Sequence, residues 1–494
     1  MTEHGAIVIG LDAFDIDLAN QWAGEGHLPV LAGLLERAAF ARLATASTVL
    51  QGSIWDTVST GCVPGKHGRY YMLQMRPGRN AVARIRADHC FRLPFWSYLP
   101  DEDRVCVVDV PMKAPAPDLN GLQIVEWGAY DHAWEFATSP PGEAERILVE
   151  YGRHPMMPRH KPPTGRRSYR RLLRAFREGV RMKHRLNMGL LDREPWRLFM
   201  SVFGEAHPTG HYYWRHYDAD HPRHDPALAG EFGTALRDVY AEMDRAIGDV
   251  VDTWASERNV IIISGHGVGP EYQPHHLLPE VLVRMGMTAR PEPGAGSRRL
   301  QPMSFKRALL TRVRNAVPPP IRKLINRFMP VPRSVRDQLM VQNAMAGIDF
   351  ARSRAFCLPT DLQGFIRLNL KGREPDGTVA PGADYDAVCD AIEEDLLTLR
   401  CAGTDRPVVK GVIRTHRRYP NADHLEHLPD LCVLWHDDEP IPGIDYPGHG
   451  TVAGTPKDIG RSGNHRPRGF LIGIGPDIRP AVRTEGDILD LAPT

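Results

Sequence analysis

The 494-residue chain has almost no net charge, no CxxC pair, and no hydrophobic run approaching the ~20 residues needed to cross a bilayer. Its 61 Lys and Arg against 60 Asp and Glu, a formal charge of +1, exclude a chain that binds polyanions over its whole surface, though not through local patches. The seven cysteines, at 62, 90, 106, 357, 389, 401 and 432, show no framework spacing, so reduced thiols are expected rather than a disulfide scaffold. The opening MTEHGAIVIGLDAFD carries no basic stretch ahead of a cleavable apolar core, which makes a cytoplasmic location the expectation. An apolar fraction of 42% with 24% charged residues excludes disordered and collagen-like chains. What the chain has in excess is histidine, 22 of them. Composition cannot say whether these are scattered polar groups or a metal site; position must.

Short apolar runs with polar ends recur at 6–10, 105–110, 197–203, 260–264, 431–435 and 470–473, with helical periodicity between them at 235–254 and 385–399. Strands alternating with helices predict an α/β fold with a largely parallel sheet covered on both faces. Ligands in such folds sit at the carboxyl ends of the strands, and Asp12, Glu205, His207, His266 and His465 all lie near the ends of strand-like segments, just beyond them or in the adjacent loops. The chain reads as one domain, 1–494, with basic helical insertions or caps at 150–190 and 285–345. Residues 159–185 hold eleven Lys and Arg and one acid, and residues 298–336 hold eleven and no acid. Three uses are open to these segments: a solvated face with an apolar stripe on the core, a funnel for an anionic substrate, or a peripheral contact with a membrane or other polyanion.

The chemistry lies in how the histidines are grouped. In Glu205-Ala206-His207-Pro208-Thr209-Gly210-His211, two imidazoles stand four residues apart directly after a strand. A helix starting near Pro208 turns His207 and His211 toward one centre. Glu205 and His207, two apart in an extended segment, share a face. Ser264-Gly265-His266-Gly267 and Gly463-Asn464-His465 supply two more imidazoles in loops beside strands. Neutral imidazole with carboxylate suits Zn2+ or another divalent transition metal better than magnesium.

The order of these blocks resembles the type I phosphodiesterase/nucleotide pyrophosphatase branch of the alkaline phosphatase superfamily. The matching pieces are Gly10-Leu11-Asp12, Trp55 with the Thr60-Gly61-Cys62-Val63-Pro64-Gly65-Lys66-His67-Gly68 block, the strands leading to His211 and to His266-Gly267, Pro429-Asp430-Leu431, and the ending from His465. The resemblance implies an alkaline-phosphatase-like α/β/α sandwich, two metal ions, and a Thr or Ser nucleophile. By position, His207, His211 and His465 make one metal site. Asp12, the nucleophile and the pair ending in His266 make the other.

Three departures stand out. Gly265 replaces the aspartate before His266, His207 stands where the family has aspartate, and Gln51 occupies the nucleophile position. Ser53 and Thr48 are the nearest hydroxyls, and Gln51 and Glu205 are candidate extra oxygen ligands. One good site and one thin site are therefore expected, with one or two ions and a single-metal mechanism in which a metal hydroxide attacks. The function expected is metal-dependent hydrolysis of a phosphodiester, pyrophosphate or related small anionic ester, with no sequence-specific nucleic-acid partner. The alternatives are a degenerate member that binds metal or nucleotide within an assembly, and a group transferase docking an anionic partner.

Overall fold

Runs such as Leu198–Phe203 (LFMSVF), with every residue buried, are satisfied as strands covered on both faces. Alternation divides them between two layers. Ile7, Ile9, Leu11, Phe199 and Phe203 join one apolar cluster, whereas Leu198, Met200, Val202 and Ile263 join another on the opposite face. The computed structural model describes residues 4–45, 50–86, 89–157, 162–292, 345–361, 363–454 and 460–492. Thr48 and nearly all of the expected basic insertion at 285–345 lie outside the described residues.

The central sheet has nine strands, in the order Arg483–Asp487, Ala39–Ala44, Gly469–Ile474, Asn259–Ser264, Ala6–Leu11, Leu198–Phe203, Val105–Val108, Gly121–Val125 and Ala137–Ser139. The middle is parallel, with Ala6–Leu11 between Asn259–Ser264 and Leu198–Phe203. Gly469–Ile474 runs antiparallel to both its neighbours, as does Ala137–Ser139 to its one. Helices flank the sheet, giving the mixed, mostly parallel α/β sandwich expected.

Two features differ from expectation. The 431–435 run is a strand, but it belongs to a separate four-stranded antiparallel sheet with Ala355–Cys357, Gly364–Leu368 and Val409–Arg414. Periodicity identifies a strand and not its partner. The edge strand Arg483–Asp487, with the sequence RTEGD, has no apolar pattern because it is mostly exposed.

The basic 150–190 segment forms the helix Arg166–Arg193, whose apolar stripe, including Tyr169, Leu172, Phe176, Val180, Leu186 and Leu190, lies in the main core. Its charges meet acids on neighbouring elements. Arg166 and Arg170 reach Glu231, and Arg177 and Arg181 reach Glu242 at 2.8 and 2.5 Å. Lys183 is fully buried against Asp109 at 2.7 Å. Among the described residues, no helix is long and apolar enough to cross a membrane.

Glu242 also receives Arg245 at 2.6 Å. Burial alone would raise its carboxyl, but the three arginines hold it down at about 2. A depressed carboxylate stabilises the fold above its unfolded value and loses that contribution as pH falls through the folded one. Glu242→Gln is therefore expected to cost roughly 2 kcal/mol near neutral pH. The deficit should shrink as denaturation is measured from pH 5 down towards 2; a deficit independent of pH would contradict this.

Candidate active site

Three adjacent parallel strands deliver the site. Ala6–Leu11 ends at Asp12, Asn259–Ser264 runs through Gly265 into His266, and Leu198–Phe203 leads to the helix Ala206–Tyr217 carrying His207 and His211. That is the carboxyl edge of the sheet. Four residues apart on one helix, His207 and His211 face the same way, with ring centroids 4.6 Å apart. His465 comes from an antiparallel pair, Gly267–Pro270 with Gly463–Arg466, in which Val268 lies opposite His465. This pairing sets the His465 ring 4.3 Å from that of His266.

One ring nitrogen from each of His207, His211 and His465 lies within 4.8 Å of the other two, and all three residues are buried. His207 Nε2 is 2.8 Å from His465 Nε2. The Gly463 carbonyl, 2.8 Å from His211 Nδ1, can only accept, so Nδ1 carries the proton and the lone pair sits on Nε2. His465 Nδ1 and both nitrogens of His266 are buried without a hydrogen-bond partner. Buried polar groups are normally satisfied, so these orphan nitrogens, with a three-imidazole donor set, fit a transition-metal ion.

Asp12 stands behind this set. Its Oδ2 accepts from His207 Nδ1 at 2.7 Å, and its Oδ1 accepts from Trp55 Nε1 at 2.7 Å. Burial raises its carboxyl, but the adjacent His207 outweighs burial and holds it below the usual range. Burial likewise opposes the charge on His207, and Asp12 wins there too, raising it. Burial pushes His211 and His465 well below the ordinary imidazole value and His266 down to about 4. Asp12 is therefore held towards its carboxylate, and burial holds His211, His465 and His266 towards the neutral form that has a lone pair to donate.

Other expected residues do not join it. Glu205 caps the helix in αR conformation, so two residues on it points away from His207, and its carboxylate meets buried His154 at 3.2 Å. The extended geometry that would have aligned Glu205 with His207 does not exist, because the helix begins at Ala206. Ser53 is fully buried and its hydroxyl donates to the Leu50 carbonyl at 2.8 Å, so it is not poised to attack. The backbone of Gln51 lies in the single 3-10 turn Gln51–Ser53. At Gly265 a Cβ would come within 2.3 Å of Ile54 Cγ2. An isoleucine methyl thus fills the room an aspartate would need, and His266 approaches Asp12 Oδ1 only at 3.9 Å. His67 is a buried structural residue near Thr57 Oγ1 at 3.1 Å, and Arg373 is locked to Asp430 and Glu374. His216 and His221, which follow His211 in the chain, are buried beside aromatic rings and apart from the cluster.

The cluster opens on a cleft of about 320 Å³ walled in part by Trp55, Tyr71, Met112, Tyr130 and Tyr212. Sequence reasoning missed Tyr130, whose ring is 4.8 Å from His207, and missed Arg461 and Asp361, which form an ion pair on the cleft wall. The one available signal was that Arg461 stands four residues before His465.

Buried imidazoles and a carboxylate at the carboxyl edge of a mostly parallel sandwich define an alkaline-phosphatase-like hydrolase. More particularly, the chain belongs to the type I phosphodiesterase / nucleotide pyrophosphatase family, whose model matches residues 6–441. A search of curated proteins by sequence finds no match. Similar solved structures include phosphonoacetate hydrolase from Sinorhizobium meliloti 1021 in complex with phosphonoformate, at 12% identity over 99% of this chain and 94% of that one, TM-score 0.49. Murine ectonucleotide pyrophosphatase / phosphodiesterase 5, as an inactive variant with AMP, is similar at 11% identity over 99% and 93%, TM-score 0.44.

Restoring the family's residue with Gly265→Asp is expected to lower stability by roughly 1–3 kcal/mol through overpacking. Adding Ile54→Ala should recover part of the loss. Thermal denaturation that finds Gly265→Asp as stable as the parent would refute the packing account.

Proposed function

We propose that the chain hydrolyses a phosphodiester, pyrophosphate or related small anionic ester, using one divalent transition ion, zinc by donor chemistry, held by His207, His211 and His465. The observation carrying this reading is the contrast between the two positions. Three imidazoles converge with one orphan nitrogen, His465 Nδ1, among them, the two other orphan nitrogens belonging to His266. The Asp12–His266 position, by comparison, has both Asp12 oxygens already engaged and Ile54 in the missing carboxylate's place.

A bound ion of this kind polarises a phosphoryl oxygen and acidifies water, chemistry that does not call for a protein hydroxyl. Asp12 acts through His207: a carboxylate on Nδ1 fixes the ring orientation and raises the basicity of Nε2. Trp55 holds the other Asp12 oxygen, so the carboxylate cannot swing into the cleft without breaking a buried hydrogen bond. The apolar and aromatic walls exclude bulk water and so strengthen every charge interaction inside.

A second reading, binding without turnover, is favoured by one observation. The Ser53 hydroxyl is spent on Leu50, and it is the hydroxyl nearest the family's nucleophile position among the described residues.

An activated aryl phosphodiester separates the two. Hydrolysis is expected to vanish with chelator and return with Zn2+. His211→Ala or His465→Ala should abolish it, whereas Ser53→Ala should stay within a few-fold of the parent. Asp12→Asn should weaken Zn2+ binding about 10- to 100-fold. Loss of activity in Ser53→Ala would overturn the water-based mechanism. Zn2+ binding without turnover of any phosphodiester, pyrophosphate or sulfate ester would favour the second reading.

A further inference from the structure

Arg461 is a charged side chain beside the imidazole cluster that no step above uses. Its side chain is 12% exposed, lines the cleft, and is paired through Nη1 with the carboxylate of Asp361. Asp361 is itself held by the Tyr71 hydroxyl, which donates to it at 2.5 Å. Burial opposes the guanidinium's charge, and Asp361 with Glu271 more than restores it. The group is thus a fixed cation on a braced support.

The contact that matters is on the other nitrogen. Arg461 Nη2 lies 3.0 Å from His211 Nε2 and 3.2 Å from its Nδ1, so the guanidinium sits over the imidazole face and leaves the in-plane Nε2 lone pair to an ion. It stays tethered to Asp361 at the cleft wall beside that ion position. Arg461 Nε, also buried, already has no hydrogen-bond partner. A guanidinium with donors to spare beside a phosphoryl site matches an oxyanion, which a planar fork can grip at two points.

We propose that Arg461 is the substrate-binding arm of this site, donating to a non-bridging oxygen of the phosphoryl group and supplying the fixed positive charge that the unbuilt Asp12–His266 position lacks. This rests on the zinc-hydrolase reading above and names the group of the substrate that is recognised: a charged phosphoryl oxygen rather than the leaving group.

The proposal makes two predictions of opposite sign, which a merely structural arginine would not. Removing the guanidinium takes a like charge away from beside the imidazoles, so Arg461→Met should bind Zn2+ several-fold more tightly than the parent. The same variant, zinc-loaded, should bind inorganic phosphate at least about tenfold more weakly, in line with loss of a charge-assisted pair. Arg461→Lys, which keeps charge but not the fork, should fall between. Titration calorimetry with Zn2+, then with inorganic phosphate, reads both affinities, and thermal melting confirms folding. Should Arg461→Met not fold, Arg461→Lys carries the test through weaker phosphate binding with zinc affinity retained. Phosphate affinity unchanged in a folded variant, or both affinities reduced, would overturn the proposal while leaving the zinc site standing. A parent protein that binds no Zn2+ would overturn both.

Discussion

A buried hydrogen bond between the Asp12 carboxylate and His207 Nδ1, 2.7 Å long, is the constraint around which the site is arranged. It joins the ends of neighbouring parallel strands, Ala6–Leu11 and Leu198–Phe203, and aims the first imidazole of the Ala206–Tyr217 helix. A carboxylate left unpaired in this interior would cost several kcal/mol, so Asp12 depends on the His207 N–H for its charge. Trp55 closes the arrangement by taking the second carboxylate oxygen. A Cβ at Gly10 would come within 2.7 Å of the Trp55 indole, so the glycine before Leu11-Asp12 is what lets that ring lie across the strand.

With Asp12 occupied in this way, the two metal positions implied by family resemblance become unequal. An aspartate at 207 would have left Asp12 without a hydrogen-bonding imidazole; a histidine there draws the carboxylate toward it. The change at 265 follows the same direction, with an isoleucine methyl where a ligand would stand. Both departures weaken the Asp12–His266 position, while Arg461, a permanent cation tethered to Asp361, stands over His211.

Much of this was legible in the chain. The strand runs ending at Asp12, His207 and His266, the i, i+4 spacing of His207 and His211, and the departures at 51, 207 and 265 are local signals, and local signals survive folding. What was not legible depends on long-range geometry. Glu205 looked like a ligand because an extended segment was assumed; the helix starts one residue later and turns it to His154. The side chain filling the gap at Gly265 comes from Ile54, more than two hundred positions away. Arg461 reaches His211 across 250 positions. Turns just past strand ends place Ala13 and Met112 at φ of 56° and 64°, a left-handed conformation that costs about 1–3 kcal/mol each and that neither alanine nor methionine advertises. The apolar stripe of the basic helix Arg166–Arg193 was legible from its periodicity, but its acid partners on neighbouring helices, Glu231 and Glu242, lie too far along the chain to be read from it.

The central claim is that one ion position is built and the other is not. Crystals of the protein equilibrated with excess Zn2+, measured at the zinc absorption edge, test it by location rather than by count. The account predicts an anomalous peak among His207, His211 and His465 and none between Asp12 and His266. A peak of comparable height beside Asp12 and His266, or no peak among the three imidazoles, would contradict it.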